Sequence, residues 1–406
     1  MTDAFARSSS RRRRAARRLA PVLAPALGLV LAASAAGCVD ERPGVTGTTS
    51  LAVELVSPDP GSADERLDDD ARAVVVRVSA LDEQGEVDES FSRPVDIHVH
   101  YLGGLTPPLE DDPLATVDLE AGRSEEVGVQ LPDVFGPTYL WIEDADGDDA
   151  TFATGTSPLL WYRDPFLQDV SRPRDEMAFD ALERSPLEAK QVRVSGSRFG
   201  ANGRLVVTGV YAQGYTLSDV ECGEGGAPPC TTGDYDSVLV FSFNRPLGQG
   251  SGPIEVGDVI GEVSGGISEF NGLTELGFPQ SVVSDEGRDP ARVPEPTVIQ
   301  PEWLGGSIEM ERVETALVAI DGATVCELDD DYDTYAQWKL GAGPDGCADT
   351  AGIVNVVTQG QVNDFRPGDH VGEVLPRVVG TLRPVEIGSF HVWIIYPRDE
   401  EDLTLP

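Results

Sequence analysis

The sequence predicts an all-β protein: an Ig-like β-sandwich followed by two OB-like Greek-key β-barrels. Three features predict it. Helical periodicity is almost absent, while short β-rich runs bounded by Gly, Pro, Asp and Asn recur along the chain. The first six of these runs, starting at Ser50, have the spacing of an immunoglobulin-like module. The C-terminal half then repeats itself: "GDVIGEVSG" at Gly257 is echoed by "GDHVGEVLPRVVG" at Gly368, an offset of 111, and "LVVTGV" at Leu205 by "ALVAI" at Ala316, a similar offset.

In chain order, residues 1–37 read as a lipoprotein signal peptide. "RSSSRRRRAARR" supplies a basic start and "LAPVLAPALGLVLAASAAG" an apolar stretch, with small residues leading up to Cys38. Ala35-Ala36-Gly37-Cys38 resembles a lipobox, in which the cysteine is acylated and becomes the new N-terminus; Ala35 stands where that motif prefers Leu. More than one acyl chain is what stable anchoring requires, and Cys38 would carry several. Val39 rather than Asp follows Cys38, which favours the outer membrane.

Residues 38–49 form a tether and 50–164 the sandwich, with strands in "SLAVELVSP", "ARAVVVRVSAL", "PVDIHVHYL", "ATVDLEAG", "SEEVGVQLP" and "GPTYLWIEDADGD". Alternation places Val95, Ile97, Val99 and Tyr101 on one face of the third run and His98 and His100 on the other. Residues 165–190 change composition, hold three prolines and read as a linker with a short helix in "RDEMAFDALER". Barrels over 191–284 and 300–406 follow, joined by a linker at 285–299. Each copy runs strand, hairpin, strand, then a "GD" turn into a pair of strands, which suits a small Greek-key barrel. Two further sandwich-like modules are the alternative architecture.

A chain of 406 residues has room for two or three domains. It carries 30 Lys and Arg against 70 Asp and Glu, a net charge of -40. Loss of residues 1–37 removes seven arginines and one acid, leaving 23 basic and 69 acidic residues. A field of that sign repels phosphate backbones, so nucleic acid is a disfavoured partner. Solubility outside the cell is the simpler use of the acidity. Five cysteines less Cys38 leave an even four, and their spacing favours two local staples, Cys222–Cys230 and Cys326–Cys347. None has C-x-x-C spacing or companion histidines, so zinc is not expected.

"GDVIGEVSGGISEFNGLTEL" is similar to the core of OB-like domains in a bacterial secreted or lipoprotein family, where such tandem domains accompany extracellular nucleases of the endonuclease/exonuclease/phosphatase type. "VPEPTVIQPEW" and "MERVETALVAIDGATV" resemble the passage joining two such barrels, in which an acid, here Glu314, precedes an apolar strand; "YPRDEEDL" looks like the close of the second barrel. The resemblance covers about Gln191 to Leu405. It implies no catalysis in this chain, which ends seven residues after Asp399 and holds four histidines, His98, His100, His370 and His391. The expectation is that the nuclease domain is absent and that the protein is not an enzyme.

Candidate sites are few. "DADGDD" sets Asp144, Asp146, Asp148 and Asp149 around a Gly turn, and hard oxygen ligands at alternate positions suit Ca²⁺; it lacks the spacing and distal Glu of an EF-hand, and a hydrated hairpin tip has the same composition. "LDDDYD", with Asp329, Asp330, Asp331 and Asp333, stands alike. His98 and His100 could converge on a metal, but no third ligand presents itself, and an exposed polar face is the simpler reading. Tyr211, Tyr215, Phe241, Phe270 and Trp338 could form a stacking face, with Tyr215 and Trp338 the leading ligand-binding candidates, although alternate strand residues must fill the barrel. Stacking without basic neighbours favours a neutral glycan. The expected function is that of a noncatalytic, lipid-anchored cell-envelope protein binding envelope proteins or glycans without cofactor, Ca²⁺ aside. The alternative is an accessory subunit that positions a separate extracellular nuclease or other hydrolase.

Overall fold

A computed structural model describes residues 47–101, 112–145, 153–173, 176, 184–305, 307–387 and 390–406. All six expected strands of the first module are present: β1 (Ser50–Ser57), β2 (Ala73–Leu81), β3 (Pro94–Tyr101), β4 (Ala115–Asp118), β5 (Val127–Gln130) and β6 (Pro137–Asp144), joined by the short β7 (Thr154–Thr156) and β8 (Leu160–Trp161). One sheet has the order β1-β2-β5; the other runs β4-β3-β6-β7, with β8 also on β6. Alternation explains the packing. Val74, Val76, Val78 and Ala80 of β2 point inward, against Val95 and Ile97 of β3 and Leu140 and Ile142 of β6, and all are buried in one core. Each fully buried aliphatic of this size contributes ~1.5–3 kcal/mol.

The opposite face of β3 differs from expectation. His98 is not part of an open polar face: it is buried beside its cross-strand neighbour Trp141, with Nε2 3.6 Å from a Glu143 carboxylate oxygen. His100 meets Tyr139 edge-on at 5.1 Å. Bulky rings on the neighbouring strand cover what the sequence leaves bare.

The C-terminal half contains two barrels of one topology. The first comprises β9 (Gln191–Val194), β10 (Gly203–Tyr211), β11 (Gly214–Gly223), β12 (Ala227–Phe241), a two-strand clip β13 (Leu247–Gly248) and β14 (Gly252–Pro253), β15 (Val259–Phe270) and β16 (Leu273–Val283). Its order β10-β11-β12-β16-β15 closes through a β15–β10 pairing, and β12 runs parallel to β16. The second comprises β17 (Thr297–Val298), β18 (Leu317–Val325), β19 (Gln337–Gly341), β20 (Ile353–Val357), β21 (Val374–Ile387), β22 (Phe390–Tyr396) and β23 (Leu403–Thr404). Its order β18-β19-β20-β22-β21 closes through β21–β18, with β20 parallel to β22. These are five-stranded closed Greek-key barrels, and the fold class is the all-β one expected.

The duplicated topology does not follow the register of the sequence echo. Phe270 and Ile387, the last residues before the closing hairpin of each copy, are 117 positions apart rather than 111. Gly257-Asp258 leads directly into β15, whereas Gly368-Asp369 lies in a separate helical turn before β21 begins at Val374. The strands correspond, and the matching "GD" letters are turns at different places.

Neither expected linker is a free connection. In 165–190 a short helix, α1 (Leu167–Ser171), sends Leu167 and Val170 into the core of barrel 1 together with Leu187. The helix expected in "RDEMAFDALER" falls almost wholly outside the described residues. In 285–299, Val293 packs against outer-face clusters of both barrels, Val206 and Val220 on one and Leu317, Ala319 and Val379 on the other. Apolar residues in both segments had barrel surface to cover.

Both disulfides pair as the spacing suggests, Cys222–Cys230 joining β11 to β12 and Cys326–Cys347 joining the end of β18 to the turn after β19. Two disulfides fit an oxidising, extracytoplasmic compartment. From loops of 8 and 21 residues, reduction should lower unfolding free energy by about 2.5 and about 3.3 kcal/mol respectively. Urea titrations of the Cys222→Ser/Cys230→Ser and Cys326→Ser/Cys347→Ser proteins check this. No helix among the described residues is long and apolar enough to cross a membrane.

Candidate functional site

Between the sandwich and barrel 1 lies a cleft of about 480 Å³, within the usual range of ligand sites. The sandwich supplies Phe135, Pro137, Trp161 and Asp164 to its walls; barrel 1 supplies Gln191 and Arg193 from β9, Ser264 from β15, and Phe278 and Gln280 from β16.

Phe278 owes its position to a backbone irregularity. Ser264 faces Gln280 and Gly266 faces Gly277, so Gly265 alone opposes both Phe278 and Pro279, a β-bulge. The bulge needs a glycine there, because a Cβ on Gly265 would come within 2.5 Å of the Gly277 carbonyl oxygen. Proline is tolerated at a bulge, where no ladder donor is required. Phe278 itself has a left-handed backbone, φ 52°, and is 79% exposed. Strained backbone of this kind persists only where the surroundings impose it. Its ring lies 5.5 Å from Phe243, which is 63% exposed and 5.2 Å from Phe241. The three rings extend the aromatic wall beyond the cleft.

Charge in the cleft is balanced. Asp164 accepts from Arg193 Nε at 3.0 Å and from Ser195 Oγ at 2.6 Å, and Arg193 Nη2 approaches it to 2.9 Å. Arg163 lies over Phe135 at 4.9 Å and Phe166 at 4.2 Å while it pairs with Asp69 and Asp169 at 2.7 Å each. Arg66 lies over Trp161 at 5.9 Å.

A second polar centre joins the two barrels, and the "EFNGLTEL" stretch builds it. Thr274 N donates to Glu314 Oε1 at 2.9 Å; Glu269 Oε1 accepts from Thr274 Oγ1 at 2.9 Å and from Ser185 N at 2.8 Å; Glu386 N donates to the Asn271 carbonyl at 2.7 Å. Gly272, φ 81°, allows this approach, since a Cβ there would meet Glu386 Cγ at 2.7 Å. Glu386 in turn bonds His391. Burial raises the Glu314 carboxyl well above its ordinary range, and the neighbouring charges of Glu311 and Glu269 raise it further. Burial also pushes Glu275 up to about 7, against the opposing pull of Arg383. Arg383 sits between the Tyr211 and Tyr396 rings at 4.2 and 4.6 Å, and Tyr211 donates its hydroxyl to Thr381 at 2.5 Å. The outward hydroxyls of β10, β11 and β12, from Thr208, Thr216, Ser218 and Ser237, are buried and bonded to one another, and Arg398 of barrel 2 reaches the Thr208 carbonyl at 3.1 Å. An OB-type barrel commonly offers ligands this face; here the neighbouring barrel makes contact with it.

Several expected site residues have other roles. Tyr215 is 0% exposed inside barrel 1, its hydroxyl 2.7 Å from Ser281 Oγ, and Trp338 is 1% exposed in the core of barrel 2. Neither ring can stack on a ligand from solvent; strand parity turns both inward. Tyr211 belongs to the barrel joint, Phe270 is exposed next to the Asn271-Gly272 hairpin turn, and Phe241 alone of the five joins the exposed aromatic row. Asp144 is buried 3.5 Å from Arg93, and Asp146, Asp148 and Asp149 lie outside the described residues, as does Cys38. In "LDDDYD", Asp329 caps α2 (Asp330–Tyr335), and Asp329 and Asp331 hold the Lys339 ammonium at 2.5 and 2.7 Å, so a side chain already occupies oxygens that Ca²⁺ would need. Among the described residues no group of three or more His, Cys, Asp or Glu is placed to hold a metal ion. Sequence reasoning missed Phe278, Phe243, Phe135 and Trp161. The Gly-Phe-Pro within an otherwise strand-like run was the signal for the first, since both Gly and Pro inside a strand mark bulges.

No family model matches the chain. No curated protein matches it either. Among solved structures, dimeric latent PorU from Porphyromonas gingivalis is similar over 86% of this chain and 34% of its own, at 13% identity and a TM-score of 0.21. This chain thus spans about a third of that protein's length.

Proposed function

We propose that the protein is a noncatalytic, lipid-anchored cell-envelope protein whose sandwich and barrels form a binding module, with the cleft between sandwich and barrel 1 as its ligand site. The observation that carries this reading is the row of exposed aromatics, Phe278 and Phe243, aimed by a bulge at the mouth of a charge-balanced cleft. An exposed ring on a left-handed backbone, as at Phe278, with a second exposed ring beside it, adds little to the fold and marks a surface that binds something. The two disulfides support export, and the basic and apolar leader ending in Cys38 supports a lipid anchor.

Palmitate labelling tests the anchor: label should enter the wild-type chain and be lost in Cys38→Ala, and equal labelling of both removes that part of the reading. Affinity capture from intact envelopes tests the role. Recovery of polysaccharide or structural envelope proteins by the wild type, reduced by Phe278→Ala, supports a binding module. Recovery of a nuclease instead assigns the chain as an accessory subunit of that enzyme.

A further inference from the structure

We propose that the cleft between the sandwich and barrel 1 binds a neutral oligosaccharide; this rests on the binding-module reading and names its ligand. Charge narrows the class. An anion would need a free guanidinium, but Arg193 is committed to Asp164 and Arg163 to Asp69 and Asp169, inside a chain of net charge -40. A quaternary ammonium seated in the cleft would meet the like charge of Arg163 over Phe135 and of Arg66 over Trp161, a repulsion that an uncharged ring does not meet. What the cleft offers is apolar ring surface beside uncharged hydrogen-bonding groups, the Gln191 and Gln280 amides and the Ser264 hydroxyl. An amide both donates and accepts, as a sugar hydroxyl requires.

Shape narrows it further. The aromatic surface continues from Phe278 through Phe243 to Phe241, ring centres 5.5 and 5.2 Å apart, outside the cleft. A single small ring would leave this row unused, whereas a chain of sugar rings seated in the cleft would run along it. The cleft's barrel 1 wall is Gln191, Arg193, Ser264, Phe278 and Gln280, whereas barrel 2 meets barrel 1 at Thr208 and Tyr211 and, at the end of the closing hairpin, at Asn271 and Thr274.

The test is a binding screen of the full chain against short neutral fragments of glucan, chitin, mannan and galactan, with acidic uronate fragments and phosphocholine as competing classes, read by fluorescence polarisation. At least one neutral class should bind saturably, and Phe278→Ala and Gln191→Ala should each weaken it about tenfold or more with no change in melting temperature. Failure of every neutral class to saturate overturns the proposal, as does binding that is indifferent to both substitutions. Saturation by uronates or phosphocholine, lost in Phe278→Ala, overturns the neutral class while leaving the cleft as a ligand site. Neutral-sugar binding together with capture of a nuclease alone from envelopes upholds the sugar and removes the binding-module role.

Discussion

Acidification from about pH 7.5 to about pH 5 will stabilise this protein, by roughly 2 to 4 kcal/mol. The cause lies in buried carboxyls whose burial outweighs the pull of the nearest cation. Glu275, buried at the barrel joint, titrates at about 7 against an ordinary 4.5, and Asp219, buried in barrel 1, at about 6 against 3.8. In both, burial is the leading cause; Arg383 only partly opposes it at Glu275, and Ser197 and Arg198 only partly at Asp219. An acid whose folded pKa is raised binds more protons folded than unfolded, so stability falls as pH rises through the window between the two values. Below the unfolded value both states are protonated and the penalty vanishes. Glu314, sealed at 6% exposure and faced by Glu311 and Glu269, acts in the same direction. Acids with lowered pKa, Asp88, Glu176 and Asp329, lose their contribution only below the ordinary carboxylate range and do not oppose the trend here. Urea titrations across this range provide the measurement. Glu275→Gln, which keeps the shape and removes the charge, should raise stability at about pH 7.5 by about 2 kcal/mol and flatten the slope. Stability that falls on acidification above about pH 5 would contradict this account of the joint.

The joint shows how far sequence reading reaches. Glu314 and "EFNGLTEL" stood out separately through their resemblance to one family, but nothing in either stretch says that the Thr274 amide meets the Glu314 carboxylate. That contact depends on how one barrel docks on the next, over 40 residues of chain. Strands were legible because alternation is local: β2 shows its buried face in its own nine residues. The cleft was not, since its walls come from Phe135, Trp161, Gln191 and Phe278, and its neutrality rests on an Arg193–Asp164 pair spanning two modules. The misplacement of Tyr215 and Trp338 has a local cause. A single strand fixes that alternate residues share a face, and only barrel closure decides which face is inside.

Trp338→Ala will therefore cost barrel 2 about 3 to 5 kcal/mol, the range for removing a large aromatic from a packed core. Trp338 packs among Val318, Leu340, Val354 and Ile395, with Phe365 tilted against it at 5.2 Å; Phe365 in turn stacks on His370 at 5.0 Å. Deleting the indole leaves a cavity that closed strands on every side cannot collapse to fill. Trp338→Phe should cost much less. The indole Nε1 is buried without an acceptor, so removing it recovers roughly 1 to 3 kcal/mol of unmet desolvation against the lost ring volume. Phe278→Ala, by contrast, should change stability by less than about 0.5 kcal/mol, because that ring is 79% exposed. Chemical denaturation of the three variants checks the ordering. A ligand platform would show the reverse pattern, with Trp338 dispensable for folding and needed for binding; a Trp338→Ala protein as stable as wild type would return that ring to the list of ligand contacts.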